Sequence, residues 1–80
     1  MFEVYTLPDR QPGVLTLQAS PDEWTRVAAY IRAQRHNRDN PSLQMTYRTI
    51  TRADMTGPAV RITFPEDQAR AILRALGLAS

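Results

Sequence analysis

Four arginines crowd one stretch of the chain. Arg26, Arg32, Arg35 and Arg38 fall within thirteen residues, and no acid interrupts them until Asp39. Arg32 and Arg35 stand one helical turn apart, beside the lone histidine, His36. Guanidinium groups so spaced present a positive helix end that can meet phosphate or carboxylate through charge-assisted, bidentate hydrogen bonds. The plainer explanation is that cations near a helix C-terminus complement its dipole. A further set, Arg48, Arg52 and Arg61, lies on segments that alternate like strands, with Tyr5, Val14 and Ile50 on the same expected face. Tyr and Arg are favoured at protein interfaces, and an aromatic among arginines also suits stacking on single-stranded nucleic acid.

Catalytic constellations are absent by residue type. The chain has no cysteine and one histidine, so a Cys-based zinc site and any site needing two imidazoles are excluded. Ser20 fits a helix cap better than a nucleophile, Ser80 is the last residue, and no nucleophile elbow surrounds Ser42. The acid pairs Asp22/Glu23 and Glu66/Asp67 fall in first helical turns, where negative charge complements the dipole. Gly13, Gly57 and Gly77 are scattered, so no loop cradles a phosphate. His36 near Asp39 is a solvated pair at a helix end. The expectation is a protein that is not an enzyme and uses no cofactor and no metal.

These residues must be positioned by a small scaffold. The 80 residues suffice for one domain, spanning 1–80, and 42% hydrophobic with 22% charged residues is the composition of an ordinary globular chain. All ten cations are arginine, which GC-rich codon usage would produce without selection, and the net charge of +2 is weaker than a dedicated nucleic-acid binder would carry. No apolar run is long enough for a membrane span and no secretory signal is visible, so the expected setting is cytoplasmic. The starting Met1 and the plain end after a capped helix favour a stand-alone protein.

Period-two alternation predicts strands over 2–7 (FEVYTL), 14–19 (VLTLQA), 43–52 (LQMTYRTITR) and 59–64 (AVRITF). The turn-rich stretches 8–13 (PDRQPG) and 53–58 (ADMTGP) join them. Ser20-Pro21-Asp22-Glu23 is a helix start: Ser20 caps the N–H of residue 23, Glu23 can reach back to the N–H of Ser20, and Pro21 occupies the first helical position. Trp24, Val27, Ala28 and Ile31 then recur as an apolar stripe, fading near His36. Ala69, Ile72, Leu73 and Leu76 repeat that stripe, and Gly77 with Leu78 is placed to close the helix in a Schellman ending.

The expected architecture is therefore α+β in the order ββαββα, with one four-stranded, mostly antiparallel sheet and both helices on one face. The two halves, about 1–38 and 43–80, superimpose at a shift of 45, pairing Phe2 with Tyr47, Leu17 with Ile62 and Asp9 with Asp54. That match is either an internal duplication or the coincidence that any two such units align. The expected core includes Phe2, Val4, Leu15, Leu17, Trp24, Met45, Tyr47, Val60 and Ile62 besides the helical stripes.

The function this predicts is a small protein-binding module, a regulator or inhibitor in the format of phage or mobile-element proteins. Its expected contact residues are Tyr5, Val14, Arg48, Ile50 and Arg61 on the open sheet face, or the groups of an edge strand. The partner would be another protein or a second copy of the chain, with no membrane involved. The alternative is a nucleic-acid binder using Arg32, Arg35, Arg48, Arg52 and Arg61.

Overall fold

A computed structural model describes residues 1–8 and 11–78; Asp9 and Arg10, expected in the turn over 8–13, and the terminal Ala79 and Ser80 lie outside the described residues. The elements run β1 (Tyr5–Leu7), β2 (Val14–Ala19), α1 (Pro21–Ala33), α2 (Arg35–Arg38), α3 (Pro41–Arg52), β3 (Val60–Pro65) and α4 (Glu66–Ala75). The strands form one antiparallel sheet in the order β1-β2-β3.

Alternation sets the two faces of that sheet. Leu15 pairs with Phe64, Leu17 with Ile62 and Ala19 with Val60, so the apolar side chains of β2 and β3 share one face. All of them are buried except the half-buried Leu15. They join Trp24, Val27 and Ile31 of α1, Leu43 and Ile50 of α3, and Ala69 and Ile72 of α4 in a single cluster. The helices therefore cover one face and leave the other, with Arg61, Thr63 and Pro65 exposed, bare. Trp24 anchors the cluster: its ring lies tilted 6.1 Å from that of Phe64, and its indole N–H donates to the carbonyl of Val60 at 3.0 Å. Each such buried large side chain contributes about 1.5–3 kcal/mol against exposure.

The helix ends follow local chemistry. Ser20 Oγ accepts from the Glu23 N–H at 3.2 Å, and Pro21 opens α1. Glu23 does not reach back to Ser20 to complete a capping box. Its carboxylate accepts from the N–H of Glu3 at 2.6 Å and pairs with Arg26, which ties the N-terminal segment to α1. At the other end of the chain, Leu78 N–H donates to Leu73 O at 2.8 Å and Gly77 N–H to Arg74 O at 3.0 Å. This is the 6→1 and 5→2 pair of a Schellman ending, and Gly77 holds the left-handed φ of 74° that it requires.

The expected four-stranded ββαββα sheet is corrected by residues 41–52, which are helical. The segment satisfies two periods at once. Leu43, Met45 and Tyr47 alternate, but Leu43, Thr46, Tyr47 and Ile50 fall at i, i+3, i+4 and i+7. The helix wins because Asn40 and Pro41 start it: Asn40 Oδ1 accepts from the N–H groups of Ser42 (3.0 Å) and Leu43 (3.4 Å). The helical stripe then buries Leu43, Thr46 and Ile50, whereas Met45, expected in the core, is 48% exposed. The shift of 45 still aligns β2 and α1 with β3 and α4. Ahead of them it sets the end of α3 against β1, so a helix stands where a duplicated half would carry a strand.

Candidate functional site

Recasting 41–52 as a helix moves its arginines. Arg48 and Arg52 lie exposed on α3, not on the open sheet face, and Ile50 is 2% exposed inside the core. Of the five residues expected to form a protein-docking face, only Tyr5, Val14 and Arg61 remain on the bare side of the sheet. Tyr5, 58% exposed, pairs with Gln18, which in turn pairs with Arg61. Val14 sits four residues away, opposite Pro65, roughly 13 Å along the strand. Polar pairs fill the space between: Arg61 Nε donates to Gln18 Oε1 at 2.9 Å, and the Thr16 and Thr63 hydroxyls share a hydrogen bond of 2.8 Å. Tyr5 and Val14 therefore form no contiguous apolar patch with Ile50. β1, one edge of the sheet, is only three residues long.

The arginines of the first helix's C-terminal end meet those of α3 instead. Residues 31–52 hold five arginines against one acid, Asp39, a balance of +4; the remainder of the chain holds five arginines against seven acids, −2. Among the described residues the ion pairs are Arg26–Glu23 and Arg70–Glu66, both outside that stretch. α1 ends at Ala33, the single turn of α2 redirects the chain, and α3 returns alongside α1. Gln44 Nε2 donates to the Arg38 carbonyl and holds the start of α3 against α2.

Between these elements lies a cleft of about 370 Å³. Ile31 and Leu43, both buried, supply its apolar lining. Arg32, Arg38 and Arg48 line it with positive charge, and no acidic residue does. Arg32 Nη1 donates to Tyr47 Oη at 3.0 Å, and its guanidinium carbon lies 5.7 Å from the Tyr47 ring centroid. This pair also lines a second cleft, of about 480 Å³, between α1 and α3 beside Trp24, Ala28, Ile50 and Met55. The two hollows thus adjoin as one groove along α1 and α3, with the Arg32–Tyr47 pair between them.

Two of the five arginines in the alternative set, Arg32 and Arg48, come together in this cleft. Arg35 and Arg52 are exposed on α2 and α3 without lining it, and Arg61 lies across the sheet. Arg38 was legible in the arginine cluster. Asn37, Gln44 and Tyr47 were not, because the strand pattern hid the helix that carries two of them. His36 is exposed, and among the described residues no group of His, Asp and Glu side chains could hold a metal. No helix among them is long and apolar enough to cross a membrane. Set against protein-family models, curated proteins and solved structures, the chain matches none.

Proposed function

We propose that this chain is a small non-enzymatic binding module that takes a nucleic-acid strand by its phosphates along α1, α2 and α3. The observation that carries the reading is the charge segregation: the +4 stretch 31–52 puts Arg32, Arg38 and Arg48 around one cleft that no carboxylate lines. Guanidinium forks match phosphate oxygens, and each neutralised phosphate releases counterions from the strand. The modest overall charge is no obstacle, since what a strand meets is the local field.

Docking of a protein on the bare sheet face is the second reading. Tyr5, exposed on the same face as Arg61 with Gln18 between them, supports it. The hydrogen-bonded polar pairs at the centre of that face weigh against a strong apolar contact.

The test is fluorescence anisotropy of a short, labelled, mixed-sequence single strand titrated with protein at several salt concentrations. Three neutralised phosphates give a slope of about −2 in log affinity against log salt, a fall of roughly 20-fold between about 50 and 200 mM. Arg48→Ala lowers the slope magnitude by about 0.7. Arg70→Ala, on α4 and already paired with Glu66, leaves it unchanged. Absence of salt-sensitive binding, or equal effects of the two substitutions, overturns the reading.

A further inference from the structure

The three arginines explain attraction to phosphate but not the other residues of the cleft. Asn37 is 4% exposed, yet its carboxamide makes no hydrogen bond among the described residues. No side-chain nitrogen or oxygen among those residues is sealed from solvent without a partner. The Asn37 amide is therefore reached by solvent, and Asn37 is one of the residues that line the cleft. Gln44 gives its Nε2 to the Arg38 carbonyl, which leaves its Oε1 as an acceptor on the same cleft. A site built only for phosphate needs neither a buried carboxamide nor an aromatic wall.

Amide groups pair with the hydrogen-bonding edge of a base, as Asn and Gln do with adenine. Aromatic rings and guanidinium planes stack on the face of an unpaired base. Both kinds of group stand here around an apolar floor, and the volume of about 370 Å³ is at the small end for a ligand pocket. The arginines then flank the hollow where the sugar–phosphate chain of such a base would pass. A duplex cannot use this geometry, because its bases are stacked and paired.

Resting on the phosphate-binding reading above, we infer that the cleft is a subsite for one unpaired nucleobase of a single strand. The base stacks against the Arg32–Tyr47 wall and its edge is met by Asn37 and Gln44. The specificity is thus for unpaired over paired nucleic acid.

The experiment compares three labelled probes of one length with the intact protein: a mixed-sequence single strand, its duplex, and an abasic strand that keeps the phosphates and lacks the bases. The single strand binds at least fivefold tighter than either of the others, the lower end of the loss expected when one stacked base is removed. Tyr47→Ala removes that preference, and Tyr47→Phe, which keeps the ring, retains it. Asn37→Ala lowers single-strand affinity selectively; should that variant not fold by circular dichroism, the Tyr47 pair carries the test. Equal affinity for the base-bearing and abasic strands overturns the base subsite and leaves phosphate binding standing. Binding of none of the probes overturns both.

Discussion

Ile50 and Met45 exchange places according to whether residues 41–52 are helix or strand, so their truncation to alanine tests the element that builds the site. In the helix, Ile50 is 2% exposed in the core and Met45 is 48% exposed. Removing a buried isoleucine side chain down to alanine costs about 2–5 kcal/mol, through lost transfer energy and the cavity left behind. At roughly 0.05–0.15 kcal/mol per residue, an 80-residue chain has about 4–12 kcal/mol in total. Ile50→Ala therefore removes a large part of the stability. Met45→Ala, on a solvated face with little change in helix propensity, stays within about 0.5 kcal/mol. The assay is urea unfolding followed by the fluorescence of Trp24, the only tryptophan and fully buried. With an m-value of about 1–3 kcal/mol per M, Ile50→Ala lowers the midpoint by about 0.7 M or more and Met45→Ala barely moves it. A larger loss for Met45→Ala than for Ile50→Ala refutes the helix and the cleft with it.

Two further outcomes test the ends of the fold. The backbone hydrogen bond from Glu3, aided by the Arg26 guanidinium, holds the Glu23 carboxyl below its ordinary range against the opposing cost of burial. Its contribution is therefore fully present above the unfolded carboxylate value of about 4.3 and is lost as pH falls through the lower folded one. Urea midpoints across acid pH fall less steeply for Glu23→Gln than for the parent, and parallel curves contradict the bond. Gly77→Ala forces a side chain into a left-handed φ with no steric neighbour to blame, so it destabilises by about 1 kcal/mol through the backbone alone. Thermal unfolding then shows a midpoint lowered by about 4–8 °C, and an unchanged midpoint contradicts the Schellman ending.

Much of the scaffold was legible because several local signals agreed. Ser20, Pro21 and the stripe Trp24, Val27, Ala28 and Ile31 all specify α1, and the alternating Val60, Ile62 and Phe64 specify β3. The Gly77–Leu78 ending was readable from two residues. Residues 43–52 were ambiguous because Met45 and Tyr47 extend a period of two from Leu43, while the decisive Asn40–Pro41 start lies just outside the alternating window. A period of two turns Ile50 outward and puts Arg48 on the same sheet face as Arg61. It also conceals the meeting of Tyr47 with Arg32, which depends on α3 packing alongside α1. Glu23 departs from the capping box for another reason: its partner, the N–H of Glu3, is twenty residues away and leaves no local trace. The arginine cluster was visible from the start, but whether it faced solvent or a concave surface depended on where α3 ran.

The most direct measurement is amide chemical-shift mapping of the isotope-labelled protein by nuclear magnetic resonance as an unlabelled single strand is added. Binding in the cleft concentrates the changes at Arg32, Asn37, Arg38, Gln44, Tyr47 and Arg48, and leaves Tyr5, Gln18, Arg61 and Thr63 still. Changes centred on those four sheet residues, or a spectrum that does not move at all, contradict strand binding in the cleft.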